Sequence, residues 1–117
     1  MKNQLLPFQI GEQYEKWEFY LEIMDIERIP GYDSYIYIRE ISVFGAIPRY
    51  VELIFCLDVL EAVIITFEFY KKEQKLNFQK SLKPLKVNSI TSRYKISKNT
   101  LIYSYGTLNI LPKLTLL

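Results

Sequence analysis

The chain has 117 residues, half of them hydrophobic, and a formal net charge of +2. This length fits one domain, residues 1–117, and the apolar content excludes a disordered chain. The sequence contains no histidine and one cysteine, which excludes Ser-His-Asp and Cys-His catalysis as well as zinc sites built from cysteine and histidine. We therefore expect no catalytic residues, no metal ligands and no cofactor, and we predict that the protein is not an enzyme.

The small net charge hides a separation of acids and bases along the chain. Residues 1–70 contain twelve carboxylates and five Lys or Arg residues, for a formal charge of −7. Residues 71–117 contain ten Lys or Arg residues and one acid, Glu73, for a formal charge of +9. A field of one sign steers partners of the opposite sign, so this separation favours a binding protein.

The first predicted elements alternate with a period of two. Residues 17–24 predict a strand with its apolar side chains, including Phe19 and Ile23, facing the core and its acidic side facing water. Pro30 and Gly31 indicate a turn. Residues 35–41 then predict a second strand.

The central part of the chain predicts a hairpin of residues 50–57 and 62–70, joined by residues 58–61, at the centre of the sheet. A buried helix over residues 51–63 is the alternative, because short apolar runs fit both structures. Residues 71–83 predict a polar connector or one short helix that ends before Pro84.

The last part of the chain predicts a second hairpin, of residues 87–96 with 100–105. Residues 107–117 are predicted to add a strand or to lie over the surface. Together the elements predict a mainly β fold, with α+β as the alternative class. We expect a single antiparallel β-rich domain, arranged as a sandwich or a half-barrel, with one short helix near 71–83.

The location of the protein is predicted from three features. Cys56 is the only cysteine, which excludes an internal disulfide and fits a reducing compartment. The first residues lack the apolar segment of a secretion signal. The apolar stretch 50–70 is long enough to span a membrane but carries four acids, which argue against a span. We expect a cytoplasmic protein that does not enter a membrane.

The acids near the N-terminus are the candidate docking surface, and a solvated strand face is the alternative interpretation. Tyrosines near these acids are candidate aromatic anchors, because buried tyrosines often dominate the binding energy of an interface. The candidate partner-binding residues are Glu12, Glu15, Glu18, Tyr20, Glu22, Asp25, Glu27, Tyr32, Asp33 and Tyr35.

The basic segment 71–98 supports a different function. Its lysines and arginines, together with Tyr94, Tyr103 and Tyr105, are typical of a platform that binds single-stranded nucleic acid. Only one of the ten cations in residues 71–117, Arg93, is arginine, and RNA-recognition motifs are absent. A nucleic-acid-binding β module is therefore the alternative and is less favoured. A third possibility is self-association of acidic and basic halves, and the oligomeric state stays open.

Two segments within residues 6–70 carry a family resemblance. They read Leu6-Pro7-Phe8-x-Ile10-Gly11-x-x-Tyr14-x-x-Trp17-Glu18-Phe19-x-Leu21, and Val51-Glu52-Leu53-Ile54-Phe55 followed by Asp58-Val59-Leu60. Together they resemble small bacterial immunity proteins encoded beside secreted toxins, in contact-dependent growth inhibition and other polymorphic-toxin systems. The resemblance implies a cytoplasmic inhibitor that binds one cognate toxin and occludes its active site. Toxins of this class are often nucleases with a basic cleft, which an acidic surface would attract.

Overall fold

The structure, a computed structural model, describes residues 6–25, 27–82, 86–87, 90–107 and 110–113. These residues form seven strands and one α-helix, with three short 3-10 turns at Tyr14–Lys16, Glu18–Tyr20 and Leu111–Lys113. The strands are β1 (Leu21–Ile23), β2 (Asp33–Tyr37), β3 (Tyr50–Cys56), β4 (Val59–Glu68), β5 (Lys86–Val87), β6 (Ile90–Ser97) and β7 (Thr100–Thr107), and the helix is α1 (Lys72–Ser81).

All seven strands belong to one open antiparallel sheet, in the order β1-β2-β3-β4-β7-β6-β5. This confirms the predicted mainly β, antiparallel fold and the helix near 71–83. Because the sheet is continuous, its architecture is one layer of strands and not a sandwich of two sheets. No helix among the described residues is long and apolar enough to cross a membrane.

The β3–β4 hairpin lies in the middle of the sheet, as predicted, and the alternative helix over 51–63 is wrong. The predicted connection at 58–61 is also wrong, because β4 already begins at Val59 and Cys56 pairs with Val59. The pairing shifts between Ile54↔Ala62 and Phe55↔Leu60, so β4 has one extra residue, Glu61, at this point. The irregular register explains why strict alternation placed the turn too late.

The β6–β7 hairpin confirms the second predicted hairpin with shifted bounds. Strand β6 begins at Ile90 instead of residue 87, which belongs to β5, and ends one residue later than predicted, while β7 continues two residues further, to Thr107. Ser97 pairs with Thr100, so the turn consists of Lys98 and Asn99. Helix α1 is tied to this turn, because the ammonium of the buried Lys75 donates a hydrogen bond to the carbonyl of Lys98. Phe78 on the same helix packs against Phe67 of β4, with ring centroids 4.6 Å apart.

The predicted strand over residues 17–24 is wrong for most of its length. The backbone makes i→i+3 hydrogen bonds from Trp17 to Tyr14 and from Tyr20 to Trp17, so two 3-10 turns precede the three-residue strand β1. Phe19 and Ile23, which were predicted to be in the core, are 83% and 67% exposed. Only Trp17 and Leu21 of the predicted apolar side pack against the core.

The core lies on both faces of the sheet and is larger on one of them. On the front face, β3, β4 and β7 bury side chains such as Leu53, Ile65 and Tyr105, with the N-terminal segment and α1 packed over them. On the back face, Ile54, Ala62 and Ile64 pack with Ile29 and Ile110. The loop before β2 and the turn after β7 therefore cover part of the back face.

The N-terminal segment is fixed to the front face by the buried Tyr105. The hydroxyl of Tyr105 donates to the carbonyl of Phe8 at 2.6 Å and accepts from the amide of Phe8 at 3.3 Å. Burial raises the pKa of Tyr105 far above its usual value, so the hydroxyl remains a neutral donor. The backbone of Gly11 and Tyr14 continues this attachment by bonding the carbonyls of Leu60 and Asp58 at 2.8 Å.

Replacing Gly106 with alanine is expected to destabilise the fold by about 1–3 kcal/mol, as overpacking of a filled site does. A Cβ at this position would lie 2.7 Å from the carbonyl oxygen of Glu61 and 2.9 Å from the Cβ of Ala62. Urea denaturation measures the change. Ser104→Ala is the control on the same strand, because the buried Ser104 hydroxyl has no partner among the described residues and its removal should not destabilise. Equal stability of Gly106→Ala and wild type would show that β4 moves freely at this point.

Candidate protein-binding surface

The charge separation along the chain becomes a separation across the sheet. The acids of residues 12–33 lie before or on β1 and β2, whereas Arg93 and Lys95 lie on β6 near the opposite edge. The ion pairs Lys16–Glu12, Arg28–Glu52 and Arg49–Glu68 each join two residues of the acidic half. In the sheet, strands β3, β4 and β7 lie between the acidic strand β2 and the basic strand β6.

Two of the predicted partner-binding acids have partners within the fold. Glu12 is half-buried, accepts a hydrogen bond from the indole of Trp17 at 3.3 Å and pairs with Lys16. Glu27 accepts a hydrogen bond from the amide of Gly31 at 3.2 Å, which stabilises the turn before β2. Both side chains help to shape the surface.

The predicted strand face that was to carry Glu18 and Glu22 together does not form. Glu18 is half-buried in the second 3-10 turn, and Glu22 is exposed on β1, where it pairs with Ile36 on the back of the sheet. Glu15 and Asp25 are exposed at separate positions. The predicted acids therefore surround the β1 edge without forming one continuous face.

The three predicted aromatic anchors occupy different environments. The guanidinium of Arg39 lies 4.8 Å from the ring centroid of Tyr20. Tyr32 is half-buried against the back core. Tyr35 is half-buried on the front face of β2, beside Tyr14 and Phe55. Tyr35 also lies near the exposed carboxylates of Asp33 and Asp58.

Exposed apolar and acidic side chains meet around Tyr35, near the turn between β3 and β4. Ile23 is the register partner of Tyr35, and the rings of Tyr14 and Tyr35 are 5.2 Å apart. The amide of Tyr14 also bonds the carbonyl of Asp58 in the turn. We call this region the tip surface, and its residues are Tyr14, Ile23, Asp33, Tyr35, Leu57 and Asp58.

The tip surface carries negative charge. Burial raises the pKa of Tyr35, and the neighbouring Tyr14, Asp33 and Asp58 raise it further. Both aspartates therefore act on the same phenol, which stays neutral at physiological pH. Two exposed carboxylates with half-buried tyrosines between them form a surface suited to cationic groups of a partner.

Sequence reasoning placed Asp33 and Tyr35 at the candidate surface but missed the other four residues of the tip surface. Leu57 and Asp58 were assigned to the end of a strand and to a longer connection. Ile23 was assigned to the core. The available signal was the pair of apolar runs that end at Cys56 and resume at Val59, a spacing that fits a two-residue hairpin turn.

The basic side of the sheet brings together only part of the predicted aromatic platform for nucleic-acid binding. Tyr103 and Tyr105 are buried in the front core, where their rings are unavailable for base stacking. Tyr94 is exposed on β6 beside Arg93 and Lys95, with its hydroxyl 3.5 Å from the amide nitrogen of Gln79. Of the three predicted tyrosines, the nucleic-acid alternative therefore retains Tyr94, together with the positive charge.

Among the described residues, no group of three or more Cys, Asp or Glu side chains could hold a metal ion. Comparisons of the chain with protein-family models, with curated proteins and with solved structures found no match. The inference of function therefore depends on the chemistry of the tip surface and on the sequence resemblance.

Proposed function

We propose that the protein is an immunity protein that binds a cognate secreted toxin and neutralises it by occluding the active site. The toxin would be a nuclease domain with a basic cleft, and binding would take place in the cytoplasm. The observation that carries the proposal is the tip surface, where the carboxylates of Asp33 and Asp58 act on the Tyr35 phenol. The exposed Ile23 lies opposite Tyr35 in the sheet, and the exposed Leu57 precedes Asp58 in the turn.

This composition suits protein recognition. Protein interfaces typically combine an apolar, aromatic centre with a polar rim, and the tip surface has both on a small scale. Its carboxylates would steer a basic partner towards the correct docking orientation. An inhibitor that only blocks a cleft needs no catalytic chemistry of its own.

The scaffold beneath the tip surface favours tight binding. Tyr35 and Phe55 lie on the neighbouring strands β2 and β3, and their rings are 5.7 Å apart. The segment that carries Tyr14 is hydrogen-bonded to the start of β4. A surface that is already ordered loses little conformational entropy when a partner docks.

The direct test is co-expression with the product of the neighbouring gene, followed by size-exclusion chromatography. We expect a stoichiometric complex that survives purification, and we expect the toxin to be inactive within it. If the neighbouring gene encodes no toxin, or if the two proteins elute separately, the proposed function is wrong.

Neutralising the tip surface is expected to slow association. The double variant Asp33→Asn, Asp58→Asn should reduce the association rate constant by about tenfold at low ionic strength, because electrostatic steering is lost. Stopped-flow fluorescence at several salt concentrations measures this rate constant. Asparagine also tolerates the left-handed backbone of residue 58.

The matched control is Glu40→Gln, Glu73→Gln, which removes the same net charge from exposed side chains outside the tip surface. At about 0.1 M salt, where the Debye length is about 10 Å, it should leave the rate constant within about twofold of wild type, since exposed charges farther away than this are largely screened. Equal effects of the two double variants would mean that overall charge, and not the tip surface, controls association.

A further inference from the structure

The turn between β3 and β4 combines two unfavourable features in the free protein. Leu57 and Asp58 both have left-handed backbone angles, with φ of 50° and 67°. A two-residue hairpin turn of this kind favours Asn-Gly or Asp-Gly, because a branched side chain crowds the backbone when φ is positive. Leucine is therefore a costly residue at the first position of this turn.

The Leu57 side chain is also in an unfavourable position, because it is 90% exposed. Neither backbone preference nor packing within the fold explains a leucine here. Strained residues often mark positions that are used in binding. The turn holds Leu57 at the tip of the central hairpin, next to Asp58.

We propose that Leu57 is the anchor residue that enters an apolar pocket within the toxin's basic cleft. This inference depends on the proposed function and names the contact that would provide most of its affinity. Asp33 and Asp58 would meet cations at the rim of the cleft, and Tyr14 and Tyr35 would pack against its wall. An apolar centre shielded by a surrounding ring is the usual arrangement of an energetic hot spot.

Charge disfavours two possible occupants. A symmetric contact with a second copy of the chain would bring Asp33 and Asp58 of both copies together, and like charges oppose that contact. An anionic membrane surface would repel the same carboxylates. A partner with basic groups around an apolar pocket complements both features of the tip surface.

The experiment compares Leu57→Gly with wild type in two measurements. In the free protein, Leu57→Gly should raise Tm by about 3–6 °C, because glycine relieves the strained backbone and removes the exposed side chain. The probe for binding is the inactivated catalytic domain of the neighbouring toxin. Its Kd should rise by about 30-fold or more, mainly through faster dissociation.

Two further variants control for general effects on the surface. Leu57→Met keeps an apolar side chain of similar size and should retain binding. Ile47→Asn removes an apolar side chain that is 61% exposed in the loop before β3, and it should leave Kd unchanged. Weaker binding by Leu57→Gly together with normal binding by both controls would support the anchor.

The outcomes separate this inference from the proposed function. If wild type does not bind the toxin domain, the proposed function is wrong and the anchor is wrong with it. If wild type binds and Leu57→Gly binds equally well, the anchor alone is wrong. If Leu57→Gly lowers Tm, Leu57 has a role in the fold, and that result also overturns the inference.

Discussion

Replacing Arg28 with methionine is expected to lower the free energy of unfolding by about 3–5 kcal/mol, because a buried carboxylate then loses its counter-ion. Two hydrogen bonds join the guanidinium of Arg28 to the carboxylate of Glu52, at 2.8 Å and 2.9 Å. The Glu52 side chain is 8% exposed and the Arg28 side chain is 23% exposed. Glu52 is therefore the less solvent-exposed residue of the pair.

This asymmetry gives the experiment its internal control. Glu52→Met should cost less than Arg28→Met, because the more exposed guanidinium can turn towards water. The double variant Arg28→Met, Glu52→Met should be near wild-type stability, since a buried ion pair exchanged for apolar side chains often costs little. Urea denaturation of the three variants measures the changes. A double variant as unstable as Arg28→Met would mean that Arg28 acts through its other contacts.

The ion pair also bears on the binding surface. Arg28 belongs to the loop between β1 and β2, and Glu52 lies on the back of the central strand β3. The pair therefore ties this loop to the sheet, and the amide of Arg28 bonds the hydroxyl of Ser34 at 3.4 Å. Loss of the pair should loosen the loop that carries Asp25 and Glu27.

The sequence predicts the sheet best where burial is strongest. Residues 50–56 and 59–68 form β3 and β4, in which nearly every side chain faces a covered side of the sheet. Their β-branched and aromatic residues correctly indicated strand over helix. The β6–β7 hairpin and α1 were also placed within a few residues, because Pro84 and the turn at Lys98 and Asn99 limit the elements on either side.

The N-terminal part was mispredicted because its alternating apolar and polar residues do not belong to a strand. Trp17 and Leu21 do pack against the core, but Phe19 between them points outward from a 3-10 turn. The periodicity of a sequence shows which residues are apolar, but it does not show which of those side chains pack against another part of the folded chain. The same limit affected the site, since Ile23 was assigned to the core and is exposed.

The tip surface depends on contacts between residues far apart in sequence. Tyr14, Tyr35 and Phe55 meet from three segments, with ring centroids 5.2–5.7 Å apart. Neither the charge pattern nor the hydrophobic periodicity indicates that these three rings pack together. The sequence therefore predicted an acidic region without its apolar centre. The positive φ of Leu57 is the feature that most clearly singles out this residue, and it arises only in the folded turn.

Replacing Phe8 with alanine is expected to destabilise the protein by about 3–5 kcal/mol, because it opens a large cavity in the front core. Phe8 is fully buried, and its ring makes edge contacts with Trp17 at 4.8 Å and with Tyr37 at 5.0 Å. It is also the residue whose backbone is held by the Tyr105 hydroxyl. Phe8 therefore fastens the segment that leads to Tyr14 and the tip surface.

The single tryptophan provides the measurement. Urea denaturation followed by the fluorescence of Trp17 should give a lower midpoint for Phe8→Ala, and the native spectrum should shift to the red as Trp17 loses its partner ring. Phe8→Leu is the control, since it keeps an apolar side chain in the site and should cost less. Under the proposed function, toxin binding should weaken in Phe8→Ala more than in Phe8→Leu, because the position of Tyr14 depends on this attachment. An unchanged spectrum with a lower midpoint would instead indicate that the segment stays docked and that the cavity alone accounts for the loss of stability.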